Sequence, residues 1–393
     1  MGAFLDKPKT EKETRKGEGN GLRYGVAAMQ GWRVEMEDAH SSIVSLSEQL
    51  KDWSYFGVFD GHAGANVSRF CAENLHSFIL KNTKFQAAIK ENSSSPDLNL
   101  LEQGICDGFL EMDAAMRELP NWKSGEDKSG STAVTLIVTP TYFVFANCGD
   151  SRGILCHNGE VLYNTVDHKP SHTNEKDRIE KAGGSVMIQR INGALAVSRA
   201  LGDFEYKLDL SRDPKAQLVS PEPEVYFQSR GEHDEFVVLA CDGVWDVMSN
   251  CEVSAFIRSR LQVTDDLEKI CCELLDTCLA KGSRDNMSVI ILLLPGSPKV
   301  SEEAIKQDEQ LEAEIEKKLA AVIEKESGFD LSEMTVGYAI SCLSSEEIEG
   351  LPPGGGLESK SNVIERCLDK LIDEKSKEKD LNQKNSSKEE DET

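Results

Sequence analysis

Three apolar runs of this chain border an aspartate, and this pattern constrains the fold more than any other feature of the sequence. The three are residues 55–59 before Asp60, residues 237–241 before Asp242, and residues 289–294 after Asp285. Apolar runs of this length predict buried strands. A carboxylate at the mouth of a buried strand is costly unless a cation meets it. We therefore predict that the three strand ends converge on a metal ion.

Further acidic residues flank other predicted strands, namely Glu37, Asp38, Asp150 and Asp246. No Cys or His pair stands at metal-ligand spacing, and oxygen ligands favour Mg²⁺, Mn²⁺ or Ca²⁺ over zinc. Each aspartate taken alone is also explained as a turn residue, because Asp-Gly is a favoured turn pair. So many acidic residues beside apolar runs favour the metal site. A carboxylate shared by two ions would build a hydrolytic two-metal site.

Arg33 and His62 each have a structural and a functional interpretation. Arg33 follows the first predicted strand, and it is either a salt-bridge partner or a fork that binds phosphate. His62 follows Asp60 by two residues. It is either a structural hydrogen-bonding residue or a proton donor beside the metal site.

Residues 149–153 match the Gly-x-Ser-x-Gly pattern of serine hydrolases, with Ser151 as the nucleophile. That motif needs a strand, a sharp turn and then a helix. Here a second strand is predicted after the serine, so we expect Ser151 to be a turn residue beside Asp150. The serine-hydrolase alternative predicts labelling of Ser151 by a fluorophosphonate probe.

Composition limits the partners and the compartment. A net charge of −25 argues against nucleic-acid binding and against general binding to anionic membranes. The 11 cysteines include no Cys-x-x-Cys pair, and many lie in apolar runs, which is typical of a reduced intracellular protein. We expect a cytoplasmic protein that also enters the nucleus, without a transmembrane segment.

Gly2 is a candidate for N-myristoylation, although Asp6 replaces the usual Ser or Thr. One acyl chain would hold the protein at a membrane only weakly.

The predicted organisation has four parts. Residues 1–20 are polar and predict a flexible arm, and residues 21–296 alternate strands and helices as in an α+β domain. Within them, residues 132–164 predict an antiparallel meander. After the Pro-Gly-Ser-Pro boundary, residues 297–372 predict a small helical extension. Residues 373–393 predict a disordered charged tail.

The chain resembles the metal-dependent protein serine/threonine phosphatases of the type 2C (PPM) family over about residues 21–295. The motifs that carry the resemblance lie in the family's order at residues 30–33, 37–40, 59–64, 129–133, 146–152, 167–170, 195–203, 241–246 and 284–286. The first ten residues and the helical extension look like the animal alpha/beta subgroup, whose members are N-myristoylated. The resemblance implies a four-layer α-β-β-α sandwich of two mainly antiparallel sheets, with a C-terminal all-α appendage.

The resemblance also implies the cofactors, two Mn²⁺ or Mg²⁺ ions with a third, weaker ion. It implies these metal ligands: Asp60 bridging both ions, the Gly61 carbonyl on one, Asp242 and Asp285 on the second, Glu37 through water, and Asp150 and Asp246, with Asp242, on the third ion. Arg33 and Arg190 would bind the substrate phosphate, His62 would be the general acid, and Asp38 would orient the attacking water.

The implied activity is hydrolysis of phosphoserine and phosphothreonine in proteins. A hydroxide bridging the two ions would attack phosphorus directly, without a covalent enzyme intermediate. We expect a monomer that acts on phosphorylated proteins and is a negative regulator of kinase signalling. A noncatalytic scaffold that binds phosphoproteins in the presence of metal is the alternative from a different class, and it predicts binding without turnover.

Overall fold

The computed structural model describes residues 4–325 and 334–373. Gly2 lies outside the described residues, and so does the predicted tail beyond Asp373. The strands are β1 Phe4–Gly19, β2 Leu22–Arg33, β3 Ala39–Ile43, β4 Ser54–Phe59, β5 Gly61–His62, β6 Gly130–Ser131, β7 Ala133–Val138, β8 Tyr142–Cys148, β9 Arg152–His157, β10 Glu160–Asn164, β11 Val186–Met187, β12 Arg190–Ile191, β13 Leu201–Gly202, β14 Glu224–Ser229, β15 Asp234–Ala240 and β16 Met287–Leu293.

Helices occupy most of the connections and the C-terminal region. They are α1 Asn66–Lys81, α2 Thr83–Ile89, α3 Leu98–Arg117, α4 Pro120–Lys123, α5 Thr173–Lys181, α6 Asp242–Trp245, α7 Asn250–Leu261, α8 Leu267–Ala280, α9 Glu302–Lys325, α10 Val336–Leu343 and α11 361–373. Among the described residues, no helix is both long and apolar enough to cross a bilayer.

Two antiparallel sheets pack face to face. The six-stranded sheet has the order β1-β2-β16-β15-β9-β10, and the five-stranded sheet has the order β14-β8-β7-β4-β3. Phe56 and Val58 of β4 lie between the sheets with Val237 and Leu239 of β15. The alternate residues of the same strands, such as Phe59, face the helices instead. Because both faces of these strands are buried, their sequences are continuous apolar runs rather than alternating ones.

Helices cover the two outer faces of the sandwich. The apolar faces of α1 and α3 pack against the five-stranded sheet, and those of α7 and α8 pack against the six-stranded sheet. In α3 the buried positions recur every three or four residues, as an amphipathic helix requires. The predicted α-β-β-α arrangement of mainly antiparallel sheets is confirmed.

The C-terminal helices have their own apolar core, formed by residues of α9, α10 and α11. A buried ion network joins them to the sandwich. Asp308 of α9 accepts hydrogen bonds from Arg260 of α7 and from Lys360, each over 2.7 Å. Both cationic side chains are almost fully buried. The extension is therefore helical, as the sequence predicted, and it packs against the sandwich.

The flexible N-terminal arm predicted from the sequence is wrong for the residues from Phe4 onward. These residues form β1, which pairs with β2 from Phe4↔Arg33 to Gly19↔Leu22. The ion pair between Lys12 and Asp276 of α8 adds a side-chain contact of 2.6 Å. Main-chain hydrogen bonds need no apolar pattern, and a polar, Lys-rich sequence suits an edge strand. Composition alone therefore misled the prediction.

The predicted meander over residues 132–164 is also wrong in its middle link. The hairpins β7–β8 and β9–β10 both exist, but they belong to different sheets. The chain crosses between the sheets at residues 149–151, after which β9 pairs with β15. These long-range pairings leave no trace in local sequence patterns.

Candidate functional site

The strand registers gather the acidic residues at one end of the sandwich. In the five-stranded sheet, Ala39 pairs with Phe59, which places Asp38 beside Asp60. In the six-stranded sheet, Ala240 pairs with Val289, so Asp242 and Asp285 leave the ends of neighbouring strands. The link between β8 and β9 carries Asp150 across the same end.

The acidic cluster is electrostatically unfavourable without a cation. Burial raises the pKa of Asp60 well above its usual range, and the charges of Asp242, Asp38, Asp150 and Asp285 raise it further. Burial likewise raises the pKa of Asp242, together with the charges of Asp150, Asp285 and Asp246. The carboxylates are therefore close enough to repel one another, which is the condition that a divalent cation relieves.

Asp38 supplies the clearest unsatisfied atom in the cluster. Its Oδ2 accepts a hydrogen bond of 2.7 Å from Ser288 Oγ, whereas its buried Oδ1 has no hydrogen-bond partner among the described residues. Burial raises the pKa of this carboxyl to about 7. An orphaned buried oxygen is costly unless an ion, water or ligand meets it.

A thiol also faces this cluster. One oxygen each of Asp38 and Asp60 and the Sγ of Cys241 lie within 4.8 Å of one another. Burial raises the pKa of the Cys241 thiol well above its usual range, and the Sγ donates to the Asn286 carbonyl over 3.4 Å. The Sγ already accepts a hydrogen bond of 3.1 Å from the Ser288 amide. Carboxylate oxygens are then the available anionic ligands, and they fit Mg²⁺ or Mn²⁺.

Gly61 lies where no other residue fits. A Cβ at this position would be 2.2 Å from the carbonyl oxygen of Glu37, so the glycine allows two backbone segments to touch. The side chain of Glu37 accepts a hydrogen bond of 2.6 Å from the Gly64 amide. Its own amide donates to Asn286 Oδ1 over 2.9 Å. Glu37 thus connects the loop after β5 to the loop before β16.

Two cations border the acidic cluster. Arg33, the last residue of β2, donates to Asp285 Oδ2 over 2.7 Å. Burial opposes its charge, but Asp285, Asp60 and Asp242 together raise the pKa of this guanidinium. Lys169 forms an ion pair with Asp150. The site is therefore acidic at its centre and cationic at its edge.

A small third sheet positions His62. Its order is β13-β6-β5, with His62 opposite Gly130 and Gly130 opposite Gly202. Asp203 follows Gly202, and its Oδ2 lies 2.7 Å from His62 Nε2. Burial alone would lower the pKa of His62, but the charge and hydrogen bond of Asp203 outweigh it and raise the pKa.

The remaining candidates are less central. Asp246 borders the cluster. Much of the residue is exposed to solvent, but partial enclosure of its carboxyl and the charges of Asp150 and Asp285 raise its pKa, which the charge of Lys169 opposes. Arg190 lies on the exposed hairpin β11–β12 and donates to the Ala194 carbonyl over 2.7 Å. Within residues 4–325 and 334–373, no ion pair joins Arg190 to the acidic cluster.

Ser151 is fully buried and lies 2.7 Å from Thr132 Oγ1. Strand β9 follows it rather than a helix. The nucleophile-elbow interpretation therefore lacks both its geometry and its access to substrate.

Sequence reasoning left several residues at the site without a role, namely Lys169, Asp203, Cys241, Asn286 and Ser288. Each of these residues lies inside or beside a motif, but its role follows from the side chain that it contacts in the folded protein, which the sequence does not show. The signal that could have found Asp203 is its place at the end of the family motif at residues 195–203.

Phosphate esters are anionic, and oxygen ligands for divalent ions beside an arginine suit them. Fold and site thus define a metal-dependent phosphatase. A family profile described as Protein phosphatase 2C matches residues 22–287. A second, described as Protein serine/threonine phosphatase 2C, C-terminal domain, matches residues 288–369. The chain therefore belongs to the protein phosphatase 2C family.

Relatives of known name agree with this assignment. The chain is 53% identical to Protein phosphatase 1B of Mus musculus over 372 residues, which covers 94% of this chain and 95% of the relative. It is 53% identical to Protein phosphatase 1A of Homo sapiens, which covers 94% and 96%. A solved phosphatase structure from Toxoplasma gondii superposes with a TM-score of 0.61 at 25% identity, covering 73% of this chain and 96% of that one. The resemblance to the animal alpha/beta subgroup is confirmed.

Proposed function

We propose that this phosphatase hydrolyses phosphoserine and phosphothreonine in proteins by direct attack of water on phosphorus, with two divalent ions and no covalent enzyme intermediate. The observation that carries the proposal is the cluster of carboxylates at one end of the sandwich, where an oxygen of Asp38 and an oxygen of Asp60 lie within 4.8 Å of each other. Burial and the charge of Asp242 raise the pKa of Asp60, so a cation between these groups would relieve their repulsion. Arg33 at the edge of this cluster adds a fork that matches a phosphate. The names of the relatives support phosphoproteins as substrates.

The residues present fit the ions. The proposed holders are Asp60 and the Gly61 carbonyl, Asp242 and Asp285, Glu37 through water, and Asp150 and Asp246 for a weaker third ion. When bound, Mn²⁺ or Mg²⁺ would lower the pKa of a water molecule and offset negative charge on the phosphoryl oxygens. The acidic protein could then accept a phosphate dianion.

The side chains of the chain perform the other tasks. Arg33 binds the phosphoryl oxygens. To do so, its guanidinium must either divide its N–H donors between Asp285 and the phosphate or give up the hydrogen bond to Asp285. The unpartnered Oδ1 of Asp38 accepts a hydrogen bond from the attacking water and so orients it. His62, whose raised pKa favours the protonated ring, gives a proton to the departing serine or threonine oxygen. Arg190 would reach a substrate from its exposed hairpin.

The direct test is metal-dependent release of phosphate from a phosphothreonine peptide. The Asp60→Asn variant should lose nearly all turnover, and EDTA should abolish turnover by the wild type. Asp52→Asn, an exposed aspartate just before β4, is the matched control and should stay active. Undiminished turnover in EDTA or in Asp60→Asn would contradict the two-ion mechanism. Peptide binding without turnover in Mn²⁺ would favour the noncatalytic scaffold instead.

The cellular role follows as a further part of the proposal. Removal of phosphate groups from proteins opposes kinases, so the enzyme would be a negative regulator of kinase signalling. We propose a monomer in the cytoplasm and nucleus, with weak membrane association when Gly2 is N-myristoylated. Mass spectrometry of the N-terminal peptide from cells tests the acylation, since an unmodified Gly2 would remove the membrane part of the proposal.

A further inference from the structure

We infer that Asp203 is a positioning residue of this enzyme, which fixes the ring of His62 so that Nδ1 faces the leaving oxygen of the substrate. The inference rests on the proposed function, because it assigns a task within the proposed reaction. Asp203 Oδ2 lies 2.7 Å from His62 Nε2, and the Asp203 side chain is only 4% exposed.

Three short strands bring the two residues together. His62, Gly130 and Gly202 are neighbours across the sheet β13-β6-β5, and Asp203 is the next residue of the chain. Gly130 separates the partners only by its backbone. A Cβ at Gly130 would be 2.3 Å from Asp203 Oδ2 and 2.4 Å from His62 Nε2. The hydrogen bond therefore exists because the middle strand has no side chain at this place.

The carboxylate of Asp203 is itself held in place. Its backbone is left-handed, with a φ of 52°, a conformation that Asp and Asn adopt more readily than other non-glycine residues. Its amide donates to the Ser129 carbonyl over 3.1 Å. The preceding Gly202 amide donates to Asp113 Oδ1 over 2.8 Å. A buried carboxylate on a constrained backbone can fix the orientation of an imidazole ring, whereas an exposed carboxylate would follow the motion of the ring.

The orientation has a chemical consequence. Hydrolysis forms a bond from water oxygen to phosphorus and breaks the bond from phosphorus to the threonine oxygen, which keeps the electron pair and needs a proton. Since Nε2 is engaged by Asp203, Nδ1 is the nitrogen that supplies this proton. The ring regains a proton from the water that is consumed, and the products are threonine and inorganic phosphate.

The competing explanation is that the pair of Asp203 and His62 only stabilises the fold. Substrates with different leaving groups distinguish this structural role from the positioning role. The threonine alkoxide is a poor leaving group and needs a proton, whereas p-nitrophenolate leaves without one. A positioning residue thus matters for the phosphothreonine peptide and hardly for p-nitrophenyl phosphate. Loss of structure would reduce turnover of both substrates alike.

The experiment measures kcat and KM of the full-length protein in Mn²⁺ on both substrates. Asp203→Asn keeps the shape and the left-handed backbone, and Asp203→Gly removes the side chain without backbone strain. Each variant should lower kcat on the phosphothreonine peptide about 10- to 100-fold, and on p-nitrophenyl phosphate by less than about threefold. Asp127→Asn is the matched control, because Asp127 binds the Ser129 amide in the same loop over 2.8 Å without contacting His62.

Adding Asp203→Asn to His62→Gln should lower peptide turnover no further, because both changes remove the same step. Equal losses on both substrates, or no loss on the peptide, would overturn the positioning role while leaving the phosphatase intact. A wild-type protein that hydrolyses neither substrate in Mn²⁺ would instead overturn the proposed function, and the role of Asp203 with it.

Discussion

Arg33 donates a hydrogen bond to Asp285 over 2.7 Å, so the proposed phosphate ligand is paired with a proposed metal ligand. Both side chains are about one-third exposed, and the acidic cluster lies behind them. A divalent ion would compete with Arg33 for Asp285, and a phosphate would compete with Asp285 for Arg33. Loss of the arginine should therefore change both metal binding and phosphate binding.

Replacing Arg33 by alanine should raise the KM for a phosphothreonine peptide about 10- to 100-fold, the loss of one or two charge-assisted hydrogen bonds. The same change should tighten Mn²⁺ binding in the absence of substrate, because it removes a cation from Asp285. Steady-state kinetics and calorimetric titration with Mn²⁺ measure the two effects. Arg69→Ala, on the exposed face of α1, is the control. Weaker Mn²⁺ binding in Arg33→Ala would show that the pair supports the metal site.

Gly130→Ala should separate Asp203 from His62 without unfolding the protein. The added Cβ meets the ends of two side chains, which can move apart at a cost of about 1–3 kcal/mol. Turnover of a phosphothreonine peptide should fall more than turnover of p-nitrophenyl phosphate. Thermal unfolding measured beside the kinetics separates this effect from loss of structure. Equal activity of Gly130→Ala and wild type on the peptide would contradict the importance of the contact.

Glu175 should stabilise the fold at neutral pH and lose this effect in acid. Burial opposes its charge, but Arg199, Arg178 and Ser198 lower its pKa to about 2, compared with 4.5 for a free glutamate. Its folded pKa is depressed, so the stabilisation is present above about pH 4.5 and is lost as the pH falls toward 2. The difference corresponds to about 3 kcal/mol.

Urea unfolding of Glu175→Gln and wild type between pH 7 and pH 3 measures this effect. The gap between their free energies of unfolding should be largest near pH 7 and should narrow below pH 4.5. Glu180→Gln, exposed on the same helix, should show no such gap. A gap that stays constant with pH would assign the loss to packing instead of charge.

Asp308→Ala should loosen the C-terminal helices without impairing the chemistry. It leaves Arg260 and Lys360 buried with one anionic partner fewer, which costs about 3–5 kcal/mol when a buried pair is broken. Chemical denaturation measures the loss, with the exposed neighbour Glu309→Ala as control. Mn²⁺-dependent turnover of p-nitrophenyl phosphate should stay within about twofold of wild type. Asp308 lies in α9, outside the acidic cluster, so molecules that remain folded keep an unchanged active site. A large loss of turnover would mean that the extension supports the active site.

Sequence patterns indicated an α+β domain and the meeting of the strand-end aspartates, whereas the four-layer arrangement was implied by the family resemblance. Buried strands are visible as apolar runs, so the convergence of Asp60, Asp242 and Asp285 could be predicted from their positions at the strand ends. The helices α1, α3 and α8 carry a local signal of the same kind, since apolar residues at every third or fourth position record the face that is buried.

Other features depend on pairings that local patterns do not record. The ion pair of Lys169 with Asp150 and the contact of Asp203 with His62 need a register between segments about 19 and 141 residues apart. The third sheet consists of two-residue strands, which are too short to show periodicity. Strand β1 is held by main-chain hydrogen bonds, which cannot be predicted from side-chain composition.

The pairing of Phe4 with Arg33 has a practical consequence for anything joined to the start of the chain. The ring of Phe4 also lies 5.8 Å from the guanidinium of Arg284, the residue before Asp285. Two residues of extended chain span at most about 7 Å. A lipid, label or fusion partner on Gly2 would therefore be tethered within a short reach of Arg33, the proposed phosphate ligand. Such an attachment would stand beside the acidic cluster, so a bulky tag at the start of the chain would be expected to hinder access of large substrates.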